Sequence, residues 1–186
     1  MFFDNNEVFS DGQSLVTNAA TRSTNILDLM TGTTFASTAS TYTLAANVNL
    51  NFGQTATVFG EDLGIGDSKT LPWFYVTSKT GFTTTNSATL QIAIQGAVDP
   101  GDGNVASISW TTYVQTGVLA ASLLTANTAL WKERWPHRAA GAAFPRFISL
   151  NYTIATGTMS AGTVFAGITL NVDAIPAYPA GFLVGA

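Results

Sequence analysis

The chain has 186 residues, of which only 10% are Asp, Glu, Lys or Arg and 46% are hydrophobic. Because an average soluble domain carries about 25% charged residues, this chain has an unusually neutral surface, and we expect partners to cover much of it. The net charge of −4 at pH 7 argues against a nucleic-acid-binding groove, since such a groove needs Lys and Arg. The length predicts a single domain, residues 1–186, and the absence of cysteine excludes a disulfide framework and a thiolate metal site.

Short runs rich in Thr, Val, Ile and aromatic residues, separated by Gly, Pro, Asn, Asp and Ser, indicate strands and turns along the whole chain. A period-two alternation of apolar and polar residues is clearest at 42–52 and recurs in later runs. The number of strands, about eight to ten, is typical of an antiparallel β-sandwich. In chain order the predicted strands are 13–17, 23–29, 42–52, 72–79, 90–95, 107–114, 129–135, 148–154 and 164–172.

Two connections and a core follow from the same patterns. Residues 155–162, with Gly157 and Gly162, predict a hairpin between the last two strands. Residues 118–127 are the one candidate for a short helix, with a loop as the alternative. The predicted core consists of inward-facing strand residues: Leu90, Ile92, Ile94, Ile108, Trp110, Ile148, Leu150, Ile168 and Leu170.

No motif combines the residues of an active site, a metal site or a cofactor site, so a non-enzymatic protein without cofactors is expected. His137 is the only histidine, and spacing supplies no partners for a catalytic triad. The glycines of 60–66 have the wrong spacing to Lys69 for a phosphate loop. Residues 99–104 form a turn sequence without the downstream glutamate of a helix-loop-helix calcium site. The glycosylation pattern at 151–153 lies inside a predicted strand and is expected to be unused.

The termini and the uncharged stretches give no sign of export or membrane insertion. The chain begins with Met1, Phe2 and Phe3, where a secretory peptide has a basic region. The uncharged stretch 29–60 is interrupted throughout by Thr, Ser and Asn, unlike a membrane span of about 20 apolar residues. We therefore expect a soluble protein with no membrane or nucleic-acid partner.

Three segments together resemble the cement (decoration) proteins of tailed-phage capsids. They are Phe9-Ser10-Asp11-Gly12-Gln13 running on to 25–29, Gly60-Glu61-Asp62-Leu63-Gly64-Ile65-Gly66, and 146–154 followed by Ser160-Ala161-Gly162. The resemblance implies a jelly-roll sandwich, self-association as a dimer or trimer, and binding to the major capsid protein on the outer surface of the virion after synthesis in the host cytoplasm. It also implies that the protein stabilises the capsid against internal DNA pressure.

The sequence departs from that family pattern in an inserted β-segment, 30–60, and in an apolar C-terminal arm, 174–186. A second arm is predicted at the N-terminus, 1–12. Both arms and the inserted segment are predicted to contact partners, because uncharged apolar strips exposed to water favour association. The residues predicted to bind partners are Met1, Phe2, Phe3, Tyr42, Leu44, Phe59, Trp131, Trp135, Arg138, Tyr178 and Phe182.

Basic and aromatic residues concentrate in 131–147, which leaves two interpretations of that stretch open. It could form a structural corner or a subunit contact, since Trp and Arg are frequent anchors of protein interfaces. The alternative is a carbohydrate-binding sandwich of a phage fibre or adhesin, with Trp131, Trp135 and His137 stacking on sugars. The structural corner or subunit contact is the preferred interpretation.

Overall fold

The computed structural model describes residues 7–16, 19–29, 72–84, 86–98, 109–135 and 145–169, together with the main chain of 47–49 and 55–60. This part of the chain forms twelve strands and a three-residue 3-10 helix at Ala121–Leu123. The strands are β1 Val8–Ser14, β2 Ala20–Arg22, β3 Asn25–Asp28, β4 Asn47–Asn49, β5 Thr55–Gly60, β6 Trp73–Thr84, β7 Thr89–Ala97, β8 Trp110–Gln115, β9 Leu119–Ala120, β10 Ala129–Arg134, β11 Phe147–Ala155 and β12 Met159–Thr169. None of the described residues forms a helix long and apolar enough to span a membrane.

The strands form two sheets that enclose one core. The four-stranded sheet has the order β1-β12-β6-β10. The larger sheet has the order β4-β5-β3-β11-β7-β8, with β2 also pairing β11 and β9 also pairing β7. The prediction of an all-β fold built from antiparallel sheets is therefore confirmed, while the jelly-roll type and the extended terminal arms stay predictions.

Two details differ from the predicted strand pattern. Twelve strands are present within the described residues, whereas nine were predicted. The three additional strands are β2 and β9, which are too short to show an alternation in the sequence, and β5; β4 lies within the strand predicted at 42–52. One pairing, between Asn25–Asp28 and Thr55–Gly60, is parallel. This pairing joins the described part of the predicted insertion to the larger sheet, and β4 extends the sheet further by pairing antiparallel with β5.

The core lies between β6 and β12 on one side and β7 and β11 on the other. Alternate residues of each strand point into it, as the period of two requires. Of the predicted core residues, Leu90, Ile92, Ile94, Ile148, Leu150 and Ile168 are buried. Trp110 is only half-buried, and Ile108 and Leu170 lie outside the described residues.

The predicted hairpin at 155–162 is wrong. β11 and β12 belong to different sheets, since β11 pairs with β7, β3 and β2 while β12 pairs with β1 and β6. The turn after Ala155 therefore arches from one sheet to the other. This turn packs closely against Asn86, which lies shortly before β7, since a Cβ at Gly157 would lie 2.5 Å from the main-chain oxygen of Asn86.

The candidate helix at 118–127 is a crossing between the sheets that contains β9 and the 3-10 turn. β9 pairs with β7 of the larger sheet, and the Ala121 amide donates to the oxygen of Ala88, the residue before β7. The Phe82 amide, in β6, donates to the Leu124 oxygen. Because main-chain bonds to both sheets hold the segment, it lacks the continuous local bonding of an α-helix.

The predicted N-terminal arm, 1–12, is shorter than expected. Residues 8–12, predicted as part of an arm, belong to β1, and Phe9 is buried with its ring 5.8 Å from that of Phe74. Glu7, from the same predicted arm, is also described. Residues 1–6 of that arm and the predicted C-terminal arm, 174–186, lie outside the described residues.

Candidate functional site

The structure separates the predicted partner-binding residues. Trp135 is buried, with its ring stacked on that of Phe74 at 5.4 Å, so it is a core residue and not a surface anchor. Trp131 is half-buried and packs against the core. Phe59 is described only in its main chain, in β5. The other predicted positions lie outside the described residues: Met1, Phe2, Phe3, Tyr42, Leu44, Arg138, Tyr178 and Phe182, as well as His137.

The register between β10 and β6 explains why Trp135 is buried. Trp131 lies opposite Val76, which is buried in the core, so from Trp131 onwards, after the register shift in β10, the odd-numbered residues lie on the core side. Lys132 lies opposite Tyr75 and Arg134 opposite Trp73, which places both cations on the outer side of the sheet. The stretch that is basic and aromatic in sequence is thus divided between two faces of one strand.

We call the outer side of the four-stranded sheet the aromatic face; it contains Trp73, Tyr75 and Phe165. Each of these rings is half-buried. Phe165, in β12, pairs with Thr77 of β6, and Thr77 lies two residues after Tyr75 in the same strand. The three rings therefore occupy neighbouring positions on the outer side of the sheet. Sequence reasoning missed this face, although the period-two alternation of the strand predicted at 72–79 could have indicated it.

Two cations lie over the rings of the aromatic face. The Arg134 guanidinium carbon is 4.8 Å from the Trp73 ring centroid, and Lys132 Nζ is 5.7 Å from that of Tyr75. Such contacts contribute about 0.5–1 kcal/mol each at exposed sites. These contacts favour a placement of both cations over the rings, although both side chains are exposed.

The far end of the same face is polar. Lys79 Nζ lies 2.8 Å from Asp11 Oδ1, in an ion pair whose side chains are 55% and 67% exposed. The hydroxyls of Thr80 and Thr163 are hydrogen-bonded at 2.9 Å. Exposed pairs of this kind contribute little to stability, about 0–1 kcal/mol, so this end is well solvated.

The larger sheet carries a buried polar cluster on its outer side. Arg22 donates from Nη1 to Ser149 Oγ at 2.9 Å and from Nη2 to Gln95 Oε1 at 3.0 Å, and its guanidinium lies 3.7 Å from the Trp110 ring centroid. Burial lowers the pKa of Arg22 to about 9. Because these contacts join β2, β7, β8 and β11, the cluster ties four strands together.

A buried ion pair lies at one end of that sheet. Arg146 Nη2 donates to Asp28 Oδ2 at 2.9 Å and Arg146 Nε donates to Asp28 Oδ1 at 3.0 Å, with side-chain exposures of 5% and 1%. The Leu29 amide also donates to the Arg146 oxygen at 2.7 Å. The pair therefore fixes the end of β3 to the residue that precedes β11.

A buried hydrogen bond connects the two sheets. Ser10 Oγ, on β1, donates to Gln13 Oε1 at 2.7 Å and lies 2.8 Å from the Tyr152 hydroxyl, on β11. Because the single hydroxyl proton of Ser10 is used by Gln13, Tyr152 is the donor in the second bond. Burial raises the pKa of Tyr152 above its ordinary value, and the bond to Ser10 opposes this shift.

The described residues contain no candidate metal site, since no three of their His, Cys, Asp or Glu side chains are placed to hold an ion.

No model of a known protein family matches the chain, and no curated protein matches it. The arrangement that the described residues do offer is a sheet face with half-buried rings and exposed cations placed over two of those rings.

Proposed function

We propose that this protein is a non-enzymatic cement protein that binds the outer surface of a tailed-phage capsid and stabilises the head. Its partners would be the major capsid protein and further copies of itself. The proposal is supported by the resemblance of three sequence segments, at 9–29, 60–66 and 146–162, to that family and, from the structure, by the aromatic face. Binding alone would perform the function, with no chemical step.

The observation that carries the proposal is the composition of the aromatic face. Trp, Tyr and Arg are the residues most enriched among the energetically dominant positions of protein interfaces. Trp73, Tyr75 and Arg134 lie together on an outer sheet face, within a chain that has only 10% charged residues. A face of this kind supports docking against another protein surface.

The structure gives less support to the alternative function, a carbohydrate-binding module. Trp135, one of its proposed sugar-stacking rings, is in the core. The outward rings of Trp73 and Tyr75 each have a cation over one face. A sugar that stacks on those ring faces would have to displace the cation first.

Stabilisation by a cement protein is a linkage effect. A partner that binds only the assembled shell stabilises it by about 2.7 kcal/mol per site when its concentration is a hundredfold above Kd. Many symmetry-related sites on one head would repeat this gain. Modest affinity at each site is therefore sufficient for the proposed role.

The test is binding of the purified protein to empty heads that lack their decoration. We expect co-sedimentation with the heads and an increase in the temperature at which they disassemble. Trp73→Ala should weaken both effects, whereas Val118→Ala, which shortens a side chain that is 66% exposed elsewhere, should not. Absence of co-sedimentation and unchanged heat resistance of the heads would contradict the proposal, and selective binding on a glycan array would favour the alternative.

A further inference from the structure

The exposed positive charges of the described residues are concentrated on the aromatic face. Of the five basic residues described, Arg22 and Arg146 are buried, while Lys79, Lys132 and Arg134 are exposed. All three exposed cations lie on the outer side of β6 or β10. The whole chain nevertheless has a net charge of −4, so this face opposes the overall charge of the protein.

Two of these cations have no carboxylate partner among the described residues. Lys79 is paired with Asp11. Neither Lys132 nor Arg134 is in an ion pair within the described part of the chain, and the adjacent Glu133 accepts a bond from the Arg134 amide instead. The two side chains contact the rings of Tyr75 and Trp73.

This geometry prepares the cations for a negatively charged partner. A guanidinium that stacks on a ring can still donate from its edge, and a planar Arg favours two parallel bonds to a carboxylate. Because the ring contacts already restrict both side chains, less conformational entropy is lost when a partner binds. Lys132 and Arg134 are two residues apart on one strand, which separates their Cα atoms by about 6.6 Å along the sheet.

We propose that the aromatic face docks on a carboxylate-rich protein surface, with Lys132 and Arg134 pairing to Asp or Glu residues spaced like alternate residues of a strand. The proposal deepens the proposed function, since it names the chemistry of the capsid surface that this face would contact. Charge complementarity is the argument for this occupant. The half-buried rings beneath the cations would supply apolar contact once the charges have aligned the partner.

The primary test measures direct binding of an extended peptide with alternating Glu and Thr to the tethered full-length protein. We expect binding at low ionic strength that weakens as salt rises, since the screening length falls from about 30 Å at 0.01 M to about 8 Å at 0.15 M. A peptide with Gln in place of Glu should not bind. Lys132→Gln with Arg134→Gln should weaken Glu-peptide binding about fivefold, the effect of two exposed charge contacts.

A matched control makes the same change in net charge elsewhere. Thr111→Glu with Gln115→Glu places two negative charges at exposed positions of β8, in the other sheet. This control should bind the Glu peptide as the wild type does, within about twofold. Equal loss in both double variants would show that net charge and not the aromatic face controls binding, and would overturn the proposal. Equal binding of the peptide by the wild type and the Lys132/Arg134 variant would overturn it as well.

Two further measurements distinguish failure of this inference from failure of the proposed function. If an oligothymidine binds as tightly as the Glu peptide through the same two residues, the face recognises phosphate and the carboxylate proposal is wrong. In the head-binding assay, equal binding and equal salt dependence of the wild type and the Lys132/Arg134 variant would overturn this inference but leave the proposed function standing. Peptide binding that depends on both cations, without any binding to heads, would contradict the proposed function alone.

Discussion

Removing one partner of the buried ion pair between Asp28 and Arg146 should destabilise the sandwich strongly. The Asp28→Asn substitution preserves the side-chain shape but leaves a buried guanidinium without its counter-charge. Because the two side chains are only 1% and 5% exposed, water cannot solvate the remaining charge. Breaking such a pair typically costs about 3–5 kcal/mol, a large fraction of the about 5–15 kcal/mol that stabilises an ordinary domain.

The measurement is urea unfolding followed by circular dichroism, with three matched variants. Asp28→Asn should lower the free energy of unfolding by at least about 3 kcal/mol. Asp28→Leu combined with Arg146→Met should recover much of that loss, because apolar residues of similar volume often replace a buried pair without cost. Asp11→Asn, which breaks the exposed pair with Lys79, should cost less than about 1 kcal/mol.

The outcome that would refute this reasoning is specific. If Asp28→Asn and Asp11→Asn lowered the free energy of unfolding equally, by under about 1 kcal/mol, the burial of the first pair would carry no energetic weight. If the double variant were less stable than Asp28→Asn, the pair itself, and not the uncompensated charge, would be the source of stability. Either result would contradict the prediction that an unpaired buried guanidinium causes the loss.

Three further predictions concern the hydrogen bond between Ser10 and Tyr152, the stability at high pH, and Gly162 in β12. Ser10→Ala should cost about 1–3 kcal/mol because it leaves the buried Tyr152 donor without its acceptor, whereas Tyr152→Phe should cost about 1 kcal/mol. Burial raises the pKa of Tyr152 in the folded state, so as the pH rises above about 10 this tyrosine loses its proton in the unfolded chain first. The free energy of unfolding of the wild type should therefore fall above that pH. In parallel urea titrations it should fall more steeply than that of Tyr152→Phe, by up to about 1.4 kcal/mol per pH unit. Gly162→Ala should destabilise the fold by more than about 2 kcal/mol in the same assay, because Gly162 has φ 135° and its Cβ would lie 2.2 Å from the Phe82 ring. Gly117→Ala, with no atom within 4 Å of the new Cβ, should stay within about 0.5 kcal/mol of the wild type, and equal losses would count against strain at Gly162.

The amino-acid sequence was sufficient to predict the fold class and much of the core. Alternation at 90–95 and 148–154 identified strands whose apolar residues are buried, such as Leu90 and Leu150. This works because the direction of a side chain in a strand depends only on the parity of its position. Short strands such as β9 contain too few residues for parity to be visible.

Which strands pair, and which residues lie on the outer surface, depended on the tertiary structure. Two alternating strands joined by a glycine turn look the same in sequence whether the turn closes a hairpin or arches between sheets, so the pairing of β11 and β12 was predicted wrongly. The same limit applied to 131–135, where composition grouped Trp135 with basic neighbours.

Parity shows that Trp135 and Arg134 point to opposite sides, but the partner strand decides which side is the core. Val76 and Phe74 of β6 supply that core side. The opposite side, with Trp73 and Tyr75, therefore becomes the aromatic face. Buried charges such as Asp28 and Arg146 were equally hidden, because they are 118 residues apart in sequence and only the folded sheet brings their opposite charges within hydrogen-bonding distance.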